Sequence, residues 1–231
     1  MRYMKLNLSI FTFFISCSLF AQTTPKTVLD RTFGMKETYY VLKSDTGVRQ
    51  GAYTLNTVYG DRVLREGVYK NNQKDSIWNS YNYKGELQVK YDYTHKTLLL
   101  YKEDERWKNE PDHKFVVING KDTSYAKLDQ PPVYLDGNGK YTQILIKTIR
   151  YPKVAKEKNI QGKVVIAFTI DTAGNISNFR VKKSIGGGCD EEALRVNQMI
   201  KGEWLPGMLN GKPVTTEFEI PTSFTLVSDD K

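Results

Sequence analysis

Few residues in this chain could carry covalent or metal chemistry. Its two histidines, His95 and His113, stand apart, and neither has a partner at the spacing a metal site needs. Cys189 is more interesting. It follows Gly186, Gly187 and Gly188 and precedes Asp190, Glu191 and Glu192, a pattern that opens a helix. A thiol at a helix N-terminus is expected to have a lowered pKa. A nucleophile–base pair of Cys189 with His113 would need contact between distant parts of the chain, which nothing in the sequence suggests. The three glycines lack the Lys-Ser/Thr ending of a phosphate loop, and the adjacent carboxylates would repel phosphate. Cys189 therefore reads as a small residue packed under the glycines. The chain is expected to be no enzyme and to hold no cofactor or metal.

What remains is the chemistry of the backbone. Val214, Thr216, Phe218 and Ile220 alternate with Thr215, Glu217 and Glu219, giving a strand with one apolar and one polar face. If this last strand lies at the edge of a small sheet, its unpaired N–H and C=O groups invite an extended peptide to add alongside. Pro213 and Pro221 cannot donate and would bracket the pairable stretch. Five or six added hydrogen bonds at ~1 kcal/mol each contribute ~5–6 kcal/mol. Association costs ~4–15 kcal/mol, so unaided pairing is expected to be weak.

The elements that would hold this strand lie just upstream. Pro152 suits the first turn of a helix through Val154, Ala155 and Lys158, closed by Asn159 and Gly162. Val164, Ile166, Phe168 and Ile170 then form the apolar face of a strand. A turn at 171–175 leads to a second strand from Ile176 to about Lys183. A helix with Asp190, Glu191 and Glu192 in its first turn, where the macrodipole favours anions, buries Ala193, Val196 and Ile200. Trp204 is expected to plug the core between helix and sheet. The sum is an α+β domain over 143–228: a three-stranded antiparallel sheet with two helices on one face.

The order of anchors Tyr151-Pro152, Ala155, Gly162, Val164, Ile166, Phe168, Asp171, Gly174, Ser184, Gly186 to Gly188, Trp204, Pro206-Gly207, Asn210-Gly211-Lys212-Pro213 and Pro221 to Phe224 resembles the C-terminal domain of TonB. That resemblance implies a periplasmic module whose last strand pairs with the N-terminal box peptide of an outer-membrane TonB-dependent receptor. Thr215, Glu217 and Glu219 would then lie near the added peptide. TonB-like domains also exchange strands, so a homodimer is open.

Upstream of that domain, residues 28–125 are rich in Tyr, Gly, Asn and β-branched types and show no helical period. Gly51-Ala52-Tyr53, Gly67-Val68-Tyr69 and Ser76-Ile77-Trp78 form a loose repeat, read as stacked hairpins in which a glycine admits a close strand and an aromatic covers it. Over 47–93 this is similar to variant MORN repeats, with Ser76 where glycine is expected. Residues 126–142, containing Pro131 and Pro132, read as a linker.

The first 21 residues combine Arg2 and Lys5 with an apolar run over 6–20 and Ala21, the pattern of a secretory signal and too short for a membrane span. Acylation at Cys17 is the alternative. The net charge of +8 is spread among carboxylates without a basic block, so nucleic acid is not an expected partner. An energy transducer would need a retained membrane anchor, and residues 126–150 could reach at most ~80–90 Å. The readings are thus an exported envelope protein-binding module, an anchored transducer, or a structural envelope protein whose MORN-like sheet binds glycan, lipid or protein.

Overall fold

Turn chemistry sets the layout of the first half. Strands β1 (Thr23–Asp30), β2 (Met35–Leu42), β3 (Arg49–Thr57), β4 (Val63–Lys70), β5 (Gln73–Tyr81), β6 (Leu87–Asp92) and β7 (Thr97–Tyr101) pair in chain order as an antiparallel meander. Between β4 and β5, Asn71 and Asn72 both take positive φ, the mirror-image turn whose twist suits a two-residue hairpin. The computed structural model describes residues 22–102 and 113–226, so the signal-like segment and Cys17 lie outside the described residues.

The repeat read from the sequence has a geometric meaning at one position. A Cβ on Gly67 would overlap the Trp78 ring, so the indole sits directly on that backbone. Trp78 is 2 % exposed, lies 4.9 Å from the Tyr53 ring and 5.1 Å from Tyr69, and donates its indole N–H to the Val68 carbonyl. Ser76, the residue that breaks the pattern, adopts φ +56°, the left-handed backbone glycine would take without strain.

Residues 126–142 are not a free linker. They contain β10 (Val133–Tyr134), with Val133 fully buried, and the first half of helix α1 (Gly137–Thr148). Gly137 and Gly139 serve close approach: a Cβ at either would run into the Tyr81 carbonyl. The helix therefore lies directly on the inner face of the meander. Gln143 donates to the carbonyls of Phe33 and Gly34 at 2.9 and 3.3 Å, and the Asn138 amide donates to Gln88 at 2.8 Å.

A polar seam completes the junction. Arg65 and Asp136, 4 % and 3 % exposed, form an ion pair, and Asp136 also accepts from Lys140. Arg65 donates to the Tyr93 hydroxyl at 2.7 Å and lies over the Trp78 ring, while Lys74 reaches Glu203 at 2.7 Å. Burial, and then the Arg65 charge, lower the Lys74 ammonium to about 8 against the opposing pull of Glu203. Burial alone would raise the Glu203 carboxyl, but its bonds to Lys74 and Tyr93 outweigh this and lower it.

The second sheet has six strands, not the three expected. Its order is β12 (Ile176–Lys183), β11 (Gly162–Ile170), β15 (Lys212–Phe224), β8 (Phe115–Asn119) and β9 (Asp122–Ala126), with β14 (Gly207–Leu209) also paired to β15. The hairpin β8–β9, assigned by sequence to the front unit, thus belongs to this sheet. Helices α2 (Lys153–Glu157) and α3 (Cys189–Asn197) supply Ala155, Cys189 and Ala193 to a core with Val164, Ile166 and Phe224, all at most 3 % exposed. Ile200, expected on the helix stripe, follows its end and is still buried. Trp204, in β13 (Trp204–Leu205) beside β10, packs against Phe168, Phe218 and Tyr134.

Candidate functional site

Of the seven residues expected to form an open edge, Val214 to Glu217 face a strand of the chain itself on the flank away from β11, while Phe218, Glu219 and Ile220 pair with β11 alone. On one side β15 pairs with β11, with Thr216 opposite Ile170, Phe218 opposite Phe168 and Ile220 opposite Ile166. On the other side Val214 pairs with Gly207 of β14, and Thr215, Thr216 and Glu217 pair with Ile118, Val117 and Val116 of β8. The flank that was to receive a peptide is occupied by the chain itself over this stretch. Beyond Glu217 no described strand pairs there, and the side chains of Phe218, Ile220 and Phe224 point into the core.

The polar face of β15 is also engaged. Glu217, 7 % exposed, is ion-paired with Arg180 and, at 3.2 Å, with Lys182; Glu219 also pairs with Lys182. Arg180 and Glu219 flank Ala167 on the two neighbouring strands, so these long side chains cover the small residues of β11. Ala167 and Thr169 are buried for that reason. Burial would raise the Glu217 carboxyl, but hydrogen bonds and charges from Arg180 and Lys182 prevail and lower it.

The true edges are β12 and β9. Strand β12 is guarded: its register against β11 slips twice, Asn178 takes φ +55°, and it carries Arg180, Lys182 and Lys183. Bulges and cations of this kind deter edge pairing. Strand β9 has none of these features. It runs in unbroken register with β8 from Asp122 opposite Asn119 to Ala126 opposite Phe115. Asp122, Thr123, Ser124 and Tyr125 are all exposed, Tyr125 at 72 %. The connection is Gly120-Lys121, with Gly120 at φ +62°, a two-residue hairpin loop as the Asn119-Gly120 pair suggests. In such a hairpin the closing pair is hydrogen-bonded and the pattern alternates. Ser124 therefore bonds inward to Val117, while the N–H and C=O of Thr123 and Tyr125 face outward.

A family model described as Gram-negative bacterial TonB protein C-terminal matches residues 147–226. This segment is a TonB C-terminal domain. No curated protein and no solved structure matches the chain significantly. The match begins within α1 and covers β11, β12, β15, α2 and α3, but neither the meander nor the hairpin that completes the domain's sheet. The likeness of the meander to MORN repeats rests on its glycine and aromatic positions alone.

The chemical candidates do not converge near the TonB C-terminal domain's open edge. Cys189 is fully buried, and burial, then Asp190 and Glu191, raise its thiol rather than lower it. The adjacent Asp190 accepts from Ser184 and from the amides of Ile185 and Gly186, tying the loop before the helix. His113 meets the Phe115 ring edge-to-face and His95 is exposed beside Asp92, so neither meets Cys189. Among the described residues no group of His, Cys, Asp or Glu is placed to hold a metal ion, and no helix is long and apolar enough to cross a membrane.

Proposed function

We propose that the protein is an exported envelope module that binds an outer-membrane TonB-dependent receptor or another envelope protein by accepting an extended segment of it as an added strand. The observation that carries this reading is the TonB C-terminal match to a sheet with one unguarded edge. The acceptor is β9 rather than residues 214–217 of β15, because β9 offers outward-facing backbone in unbroken register without displacement of a bound strand. About four hydrogen bonds from Thr123 and Tyr125, at ~1 kcal/mol each, are small beside the association cost. Capture then depends on side-chain contacts such as the exposed Tyr125 ring and is weak in isolation.

Proline at Thr123 or Tyr125 removes an outward N–H and leaves the β8–β9 ladder intact. The expected outcome is folded protein that no longer captures box-type peptides from a receptor N-terminus. Undiminished capture by both variants would refute the assignment. A second reading, a structural envelope protein in which the front sheet binds and the TonB C-terminal domain docks, is favoured by the buried Arg65–Asp136 seam that couples the two parts.

A further inference from the structure

The inner face of the meander is only partly covered by α1. Beside the helix, against β1, β2 and β3, lies an open groove of about 530 Å³. Its floor is apolar and well packed: Met35, Tyr53, Leu55 and Ile144 are each at most 8 % exposed. Val28, 47 % exposed, stands at its rim, and the flexible Met199 side chain adds a wall that can adapt to shape. A volume of this size, at the junction of two structural units, falls in the range of small-ligand sites.

Opposite charges stand on opposite walls. The sheet side presents Asp30 and Glu37; the helix side presents Lys140 and Lys201. Glu37 is bonded to Arg49 at 3.1 Å and Lys140 to Asp136, so these two are already neutralised. The other two are not. Asp30 uses Oδ1 to accept the amides of Thr32 and Phe33, which fixes its carboxylate, and its Oδ2 has no partner among the described residues. The Lys201 ammonium has none either, while its carbonyl accepts from the Tyr134 hydroxyl at 3.0 Å and pins the backbone. At the Phe33 end, the bonds from Gln143 tie the helix wall to the sheet wall.

We propose that this groove binds a short zwitterionic peptide, with an apolar body on the floor, its ammonium at Asp30 and its carboxylate at Lys201. A glycan would leave its hydroxyls against Met35, Leu55 and Ile144 without partners. An acyl chain would gain nothing from two charges of opposite sign. The site lies on the front sheet and does not depend on strand addition at β9.

The test uses the full chain and calorimetric titration with tri-leucine, its carboxy-amide and its N-acetyl form. Tri-leucine is expected to bind saturably, with each capped form weaker by about tenfold, as for loss of one charged hydrogen bond. Asp30→Asn keeps the turn-forming Oδ1 but removes the charge, and Lys201→Gln neutralises the other end. Each variant should weaken tri-leucine by about tenfold at unchanged melting temperature. Asp30→Asn should leave the N-acetyl form unaffected, and Lys201→Gln the carboxy-amide. No saturable binding at millimolar peptide, or equal binding to either variant, overturns the proposal.

Discussion

Glu217 shows how one residue can change meaning between sequence and structure. Alternation puts it on the polar face of a strand, and the resemblance to TonB implies a place near an added peptide. In the fold it is buried between Arg180 and Lys182, and its pKa is lowered. A carboxyl with a depressed folded pKa contributes stability that is present above its unfolded value, about 4.3, and lost as pH falls through the folded value. Glu217→Gln is therefore expected to flatten the acid side of the stability–pH curve below about pH 4.5, measured by urea denaturation. The loss at neutral pH should be small, about 1 kcal/mol or less, because Arg180 is half exposed and water can solvate it. Cys189 keeps its meaning as a small packed residue: it is fully buried, and its thiol is raised where a helix N-terminus alone would lower it.

At the scale of elements, the hairpin β8–β9 decides which flanks of the second sheet stay open. It contributes Val117, 8 % exposed, and the partly buried Phe115 to the structure, and it pairs with β15 at three positions against nine for β11. The alternation that turns Val117 toward Ser124 turns the N–H groups of Val116 and Ile118 toward β15. Ile118→Pro is thus expected to release the β8–β15 ladder while keeping the hairpin. Amide hydrogen exchange reads this out: Thr215 and Glu217 should exchange faster, while Ser124 keeps its protection. Peptide capture by β15 in this variant would show that the hairpin acts as a self-supplied strand over that flank.

At the scale of the molecule, the front sheet and the TonB C-terminal domain share a buried seam and exchange elements across it. Arg65, on β4, meets Asp136 ahead of α1; the hairpin β8–β9 precedes the matched segment yet completes its sheet. Removing one member of a buried ion pair leaves the other charge uncompensated, a cost of about 3–5 kcal/mol. Arg65→Ala is expected to lose stability on that scale in chemical denaturation, through one transition reported alike by Trp78 and Trp204 fluorescence. Two separated transitions would show that the halves fold independently. Deleting 28–125 would remove β8 and most of β9 and is expected to unfold the remainder.

The sequence by itself determined three strands and two helices of the TonB C-terminal domain. Alternation in 164–170 and 214–220, the turn at 171–175 and the glycines before Cys189 are local patterns, set by residues within a few positions of one another. Residues 126–142 read as a linker from Pro131 and Pro132, and nothing local shows that Gly137 and Gly139 admit the Tyr81 carbonyl and let α1 lie on the meander. Only the tertiary structure decided which strand is the edge. Hydrogen-bonding groups on a strand are much the same whatever the side chains, so nothing in residues 215–217 records that residues 116–118 will close their open side.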